Sequence, residues 1–264
     1  MTELSFLVTL VLVLAVIAGL PHGAFDVYIA NRLGFWRTQG QLVNWLIGYT
    51  LAALAIVGLW LLAPAISLGL FLLISALHFG RDHYPQQSLY ALCLGFIILG
   101  LPLLVEPLLV ASIFSHILVP ESQAQAVVTL FQGLAIIGSL VILAEVLLHF
   151  NKRKSTFLLL MLLLAAAVLF HPLVYFALFF ALSHSPNHLR EQWQRLNTPQ
   201  KQQAPWVILA LTVVPILAAV AVLFYSSLTW DSKLLSVIFI GIAALTVPHM
   251  FLLELEYRAT CQES

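Results

Sequence analysis

The stretch LSFLVTLVLVLAVIAGLPHGAFD, residues 4–26, decides the fold class of this chain. It carries no charged residue between Leu4 and Pro21, and an apolar run of this kind approaches the ~20 residues that cross a bilayer as a helix. The run ends in a proline, a histidine, a glycine and an aspartate. A histidine and a carboxylate at membrane depth cost free energy unless they have partners, so His22 and Asp26 require an explanation.

The composition extends this interpretation to the whole chain. Its 264 residues are 62% hydrophobic and 8% charged, whereas a soluble domain is about a quarter charged. Apolar runs occur at about 4–21, 41–62, 65–80, 88–118, 124–150, 156–184, 205–228 and 234–253. None of them alternates apolar and polar residues as the strands of a membrane barrel do. We therefore predict an all-α polytopic membrane protein with about eight transmembrane helices, give or take one, in a single domain over 1–264.

The charge and cysteine content exclude other classes. The formal net charge is zero, which gives no reason to expect a nucleic-acid partner. The two cysteines do not form the pattern of a disulfide framework. The chain does contain nine histidines against eleven Lys and Arg residues, which is unusual for so apolar a sequence.

Four of these histidines lie near predicted helix ends in pairs spaced four residues apart. The pairs are His22 with Asp26, His78 with Asp82, and His184 with His188. Residues four apart share a helix face, so this spacing predicts two imidazole–carboxylate pairs and one pair of imidazoles. Pro186 lies inside the last pair and makes its helical geometry less regular.

Imidazoles in this number indicate a metal site. Histidine is the commonest protein ligand for Zn, Cu and Fe, and its second ring nitrogen usually donates to a carboxylate or a carbonyl. Asp26 and Asp82 are the candidates for that orienting role. His249, in VPHMFLLELE, follows Pro248 and is assigned to the surroundings of the site. The alternative for any single histidine is a hydrogen-bonded polar residue at a helix end.

Aromatic residues lead towards the paired histidines. In HPLVYFALFFALSHSPNH, two adjacent stripes recur at helical spacing, and they consist of Tyr175, Phe176, Phe179 and Phe180. Such rings most often pack in a core or face lipid, but a stripe ending at the histidines would suit a long apolar substrate.

The segments GLPHGAFD, SALHFGRD and HPLVYFALFFALSHSPNH resemble the motifs of the Brp/Blh family of integral-membrane carotene dioxygenases from bacteria and archaea. The resemblance implies a multi-pass enzyme of the bacterial inner membrane. It implies that O₂ cleaves β-carotene at its central 15,15′ double bond to give two molecules of all-trans-retinal, with a microbial rhodopsin as a possible user of the product. It further implies non-haem Fe(II) held by His22, His78, His184 and His188. Asp26 and Asp82 also match family positions, with a less settled role.

Other functions remain compatible with the histidines themselves. In a membrane di-iron desaturase or hydroxylase, Asp26 and Asp82 would be ligands, and two iron ions per chain would distinguish it from a one-iron enzyme. A metal transporter or a carrier of b-type haem are further alternatives.

The predicted topology restricts how deep in the membrane the histidines can lie. His22 and His78 end runs on the same side of the membrane, whereas His184 ends a run three crossings later, on the opposite side. A single metal ion can bind all of them only if they lie at depth, with helices continuing past them. We therefore expect residues 19–26 to lie within a longer helical segment.

Overall fold

The computed structural model describes residues 4–262, which form helices and connecting turns without a strand. In chain order these are α1 (Phe6–Gly19), a 3₁₀ segment (Leu20–Phe25), α2 (Asp26–Arg32), α3 (Gln39–Leu62), α4 (Pro64–Arg81), α5 (Ser88–Val105), α6 (Pro107–His116), α7 (Glu121–Leu148), α8 (Phe150–Leu169), α9 (Pro172–Phe179), a π segment (Phe180–His184), α10 (Ser185–Gln194), α11 (Thr198–Tyr225) and α12 (Trp230–Gln262).

The all-α membrane architecture is confirmed. Among the described residues, seven helical segments are long and apolar enough to cross a membrane, within the range predicted from the apolar runs. The run at 156–184 is not one of them, because it is divided between α8, α9 and the π segment. The run at 88–118 is broken at Glu106, where α5 ends and Pro107 begins α6.

The first histidine motif lies inside a longer helical segment, as expected. The chain is helical from Phe6 to Arg32, and this 27-residue segment counts as one candidate span. It comprises α1, the 3₁₀ segment and α2, so the chain does not leave the helical path at GLPHGAFD.

The helices pack into two compact units. The first unit contains the chain up to Leu12 together with Pro64–Phe179, and the second contains Val13–Ala63 together with the chain from Phe180 onwards. In the first unit, glycines allow helices to touch backbone to backbone. A Cβ on Gly80 would lie 1.7 Å from the carbonyl oxygen of Ala91, and one on Gly95 would lie 1.7 Å from that of Ala76. Helices α4 and α5 therefore approach more closely than larger residues permit.

In the second unit, local sequence features determine where helix α2 ends and where helix α3 begins. Gly34, at φ +82°, follows α2 and allows the Phe35 N–H to reach back to the Ala30 carbonyl. Thr38 and Gln41 then form a capping box that begins α3. In this unit α3 packs on α12, while the 3₁₀ segment contacts α10 and α11. These contacts bring distant parts of the sequence to the first histidine motif.

Candidate functional site

Four histidine rings of the second unit lie against one another. They are His22, His184, His188 and His249, which we call the imidazole cluster. The ring centre of His22 lies 5.5 Å from that of His184, 5.6 Å from that of His188 and 5.3 Å from that of His249. The rings of His188 and His249 are 5.2 Å apart. Three predicted site histidines thus come together, and His249 joins them in direct contact.

His22 is placed by the 3₁₀ segment. Pro21 occupies the first turn of that segment. A proline is tolerated there, because a backbone N–H at this position would have no partner within the helix. The ring Nδ1 of His22 donates to the carbonyl of Gly19, three residues earlier. This bond fixes the tautomer, so that Nε2 carries the lone pair available to a metal ion or another donor.

His184 and His188 follow an irregular part of their helix. His184 ends the π segment and is 1% exposed, and α10 begins at the next residue. Pro186 falls in the first turn of α10, where a proline is tolerated, and the irregular part of the helix lies just before it, in the π segment. A π segment widens the helix locally and is frequent at functional sites.

The His188 ring is a neutral imidazole that could donate a lone pair to a metal ion. It lies on α10, a polar helix outside the candidate membrane spans, and its Nε2 is buried without a hydrogen-bond partner. Burial lowers the pKa of His188 well below its usual value, and the nearby His249, His22 and His184 rings lower it further. Protonation of this imidazole is therefore disfavoured.

Asp26 does not orient His22, so that part of the sequence interpretation is wrong. Its Oδ1 accepts from Nδ1 of His249 at 2.5 Å, and its Oδ2 accepts from the hydroxyl of Tyr49 at 2.7 Å. The reason is the 3₁₀ segment. Residues four apart lie ~40° from each other around an α-helix but ~120° apart around a 3₁₀-helix, so Asp26 and His22 face different neighbours.

Phe180 packs directly on the cluster. Its ring is stacked on His184 at 5.9 Å and stands edge-on to His22 at 5.3 Å. A Cβ on Gly19 would lie 1.9 Å from this ring. The glycine of GLPHGAFD therefore leaves the space that Phe180 fills.

A cavity of about 210 Å³ adjoins the cluster within the second unit. His22, Asp26 and His249 lie on its wall, together with Tyr49. The remaining lining is predominantly apolar and comes from α1, α3, α11 and α12, with further residues from the 3₁₀ segment, α2 and the π segment. It includes Val16, Trp45, Leu46, Leu211, Val214 and Ile242. The arrangement is a small apolar chamber with imidazoles on one side.

A polar network ties together the helices that carry these side chains. Arg32, at the end of α2, donates to Gln192 of α10 at 2.6 Å and to Glu256 of α12 at 2.8 Å. Gln192 is 2% exposed and lies one turn after His188. The network holds α2, α10 and α12 in a fixed relation, and no local pattern in the sequence indicates it, because its members are far apart along the chain.

The other predicted histidine–aspartate pair belongs to the first unit. His78 is buried on α4, and its ring lies 5.5 Å from that of Phe79. Asp82 is exposed and lies just beyond the end of α4 at Arg81. Their predicted roles as ligand and orienting carboxylate remain predictions.

The aromatic stripe predicted to line a tunnel is divided between different surroundings. Of its four residues, Phe180 contributes to the cavity wall in the second unit. The Tyr175 hydroxyl donates to the Ile98 carbonyl at 2.7 Å, and Phe179 stands edge-on to Phe79 at 5.2 Å. Phe176 also lies near Phe79, at 6.4 Å. The role of these rings towards a substrate remains a prediction.

The cluster is not a formed metal site as it stands. Within residues 4–262, no group of three or more His, Cys, Asp or Glu side chains is arranged to hold a metal ion. What the described residues do provide is a set of adjacent imidazoles, two of which have a ring nitrogen held by a hydrogen bond, and an apolar chamber beside them.

Comparison with known proteins gives a consistent result. A family model described as beta-carotene 15,15′-dioxygenase matches residues 13–256. A protein named beta-carotene 15,15′-dioxygenase, from an uncultured marine bacterium 66A03, is 30% identical over 262 residues, covering 94% of this chain and 93% of the relative. No solved structure is significantly similar to the chain.

Proposed function

The chain belongs to the β-carotene 15,15′-dioxygenase family, and we propose that it cleaves β-carotene at the central double bond to give two molecules of all-trans-retinal. The family is the one expected from the three sequence motifs. In this reaction the carbon–carbon double bond is replaced by two aldehyde groups. One O₂ molecule supplies both oxygen atoms, so the overall change requires no additional reductant.

We further propose that His22, His184 and His188 of the imidazole cluster hold Fe(II), while the ligand role of His78, in the first unit, stays a prediction from the sequence motifs. The chemistry of these side chains suits an iron ion, because neutral imidazoles are common iron ligands. The Nε2 atom of His188 is also buried without a hydrogen-bond partner, so a metal ion could take that place. Neighbouring ring centres of the cluster lie 5.2–5.6 Å apart, so these side chains would be the adjacent donors from which an iron ion could be held. When bound, the iron would supply the electrons that ground-state O₂ needs to react with a closed-shell alkene.

The protein's own contribution is to position the polyene and keep the site dry. The observation that supports this location is that His22 and His249 of the imidazole cluster lie on the wall of an apolar cavity. At about 210 Å³ the cavity is smaller than the ~300–1,000 Å³ of typical ligand pockets, so it would hold only part of a carotenoid. The central bond would lie at the imidazoles and one arm of the substrate in the chamber.

A membrane location agrees with this substrate. The chain has multiple helices apolar enough to cross a bilayer, and β-carotene dissolves in lipid. We propose that the enzyme resides in the bacterial inner membrane and takes its substrate from the lipid phase. A microbial rhodopsin would be a natural consumer of the retinal.

Expression in a bacterium that makes β-carotene tests the reaction. Cells that carry the wild-type chain are expected to lose orange colour and to yield retinal on extraction, whereas cells with the empty vector keep β-carotene. Membrane insertion of the wild-type chain is checked by fractionation. Unchanged β-carotene in cells whose membranes contain the protein and iron would contradict the proposal.

A further inference from the structure

The ring of His249 is held by a chain of hydrogen bonds. It is 2% exposed, and its Nδ1 is held at 2.5 Å by a carboxylate that is itself 3% exposed. The other oxygen of this carboxylate, on Asp26, accepts from Tyr49 at 2.7 Å. A chain of three side chains from three helices therefore ends at one imidazole. Surface histidines are not held in this way.

The direction of the hydrogen bonds determines what this imidazole can do. An ionised carboxylate only accepts, so Nδ1 of His249 carries the proton and Nε2 carries the lone pair. The ring is in edge contact with His22 at 5.3 Å and with His188 at 5.2 Å. A carboxylate–imidazole pair of this kind raises the basicity of a metal ligand and fixes its orientation.

We propose that His249 is a metal-binding residue of this enzyme and that Asp26 and Tyr49 position it. The proposal rests on the proposed iron site and extends it, because the family resemblance placed the ligands on other histidines. Asp26 then acts through His249 and does not contact the metal. Tyr49, which also lies 3.1 Å from the Leu245 carbonyl, links this carboxylate to α3 and α12.

A purely structural role is the competing explanation. The same hydrogen bonds could serve only to hold α12 against α2 and α3. Metal binding separates the two, because a structural pair would change stability without changing the affinity for a metal ion or the spectrum of the bound ion.

The test measures metal binding by purified protein stripped of metal and titrated with Fe(II), and with Co(II) as a spectroscopic probe. His249→Ala is expected to lower the iron affinity at least ~100-fold and to change the Co(II) absorption bands. Loss of an orienting partner typically lowers metal affinity ~10–100-fold, which we expect for Asp26→Asn, with a smaller loss for Tyr49→Phe. His116→Ala serves as control, since that ring bonds the Ser112 carbonyl in the first unit.

The outcomes distinguish this inference from the proposed function. If His249→Ala keeps the iron affinity and Co(II) spectrum of the wild type, His249 is not a metal-binding residue, even if the enzyme makes retinal. If wild-type protein binds iron through His249 but leaves β-carotene intact, the proposed function fails and the inference stands. Should His249→Ala not fold, Asp26→Asn and Tyr49→Phe decide, because both keep every histidine: an iron affinity and a Co(II) spectrum unchanged from the wild type in both variants overturn the proposal.

Discussion

His249 and Asp26 are separated by 223 positions, and the Nδ1 of one donates to the Oδ1 of the other at 2.5 Å. The bond joins the helical segment at the start of the chain to the one at its end. The site is therefore a product of tertiary packing and not of local sequence alone.

The first prediction concerns His188, whose Nε2 is buried without a hydrogen bond. His188→Ala is expected to reduce retinal formation at least ~100-fold, since loss of a ligand should exceed the ~10–100-fold effect of losing an outer partner. Retinal extracted per unit of membrane-inserted protein is the measurement. His83→Ala, in the turn after α4, is the control. A His188→Ala enzyme with more than half the wild-type activity would exclude this residue as a ligand.

The second prediction concerns the amount of metal. One imidazole cluster of this kind should hold about one iron per chain, and removal of iron with a chelator should abolish activity until Fe(II) is restored. Elemental analysis of purified protein gives the ratio. Two iron ions per active chain would instead support the di-iron alternative, in which Asp26 and Asp82 were expected to be ligands.

The third prediction concerns the polar network of Arg32. Its pair with Glu256 is largely shielded, with side chains 27% and 12% exposed. Loss of Arg32 would also leave buried Gln192 without its donor. A double-mutant cycle of Arg32→Met with Glu256→Gln is expected to give a coupling free energy of about 1–3 kcal/mol, read from unfolding in detergent.

A second ion pair of α12 provides the matched control. Arg258 and Glu254 form an exposed pair four residues apart, with side chains 70% and 28% exposed. The same cycle there should give about 0.5 kcal/mol or less, because solvent screens the charges. Equal coupling at the two sites would mean that the Arg32 network has no special role in fixing α2, α10 and α12.

Local patterns in the sequence account for much of this architecture. Apolar runs identify the membrane helices, and the histidine motifs single out His22, His184 and His188, whose rings do come together around His22. The partner of Asp26 could not be found in this way, because the i,i+4 rule assumes an α-helix. Pro21 and Gly23 were the available signals that residues 20–25 depart from one.

The role of Tyr49 is even harder to predict from the neighbouring sequence than the partner of Asp26. It is one aromatic residue in an apolar helix, and its importance arises only when α3 packs against α12 and brings its hydroxyl to Asp26. His249 was singled out by its polar character, but its contact with two other imidazoles depends on the same packing. Residues far apart in sequence reveal such relationships only in the folded chain.

The fourth prediction concerns the glycine of SALHFGRD. A Cβ on Gly80 would lie 1.7 Å from the backbone oxygen of Ala91, which cannot move aside as a flexible side chain could. Gly80→Ala is therefore expected to destabilise the protein by about 1–3 kcal/mol or more. Gly69→Ala, on the same helix but with open space around it, should be neutral or stabilising by up to about 1 kcal/mol. Similar melting temperatures for the two variants would contradict the close packing of α4 on α5.

The fifth prediction tests whether the cavity receives the substrate. Leu211, on α11, lines the chamber without belonging to a helix that carries a cluster histidine. Leu211→Trp is expected to fill part of the chamber, to raise KM for β-carotene or abolish turnover, and to leave the iron content unchanged. Leu217→Trp places the same ring on the same helix at a position that is 61% exposed, and it should behave like the wild type.

The iron content of the Leu211→Trp variant shows whether lost activity comes from a filled cavity or from a disturbed imidazole cluster. If Leu211→Trp loses iron together with activity, the substitution has disturbed the imidazole cluster, and a smaller change, Leu211→Phe, replaces it. If Leu211→Trp keeps both its iron and the wild-type KM and kcat, the chamber does not hold an arm of the carotenoid. Substrate would then have to reach the imidazoles from another direction, because an indole in this space and a polyene arm exclude each other sterically.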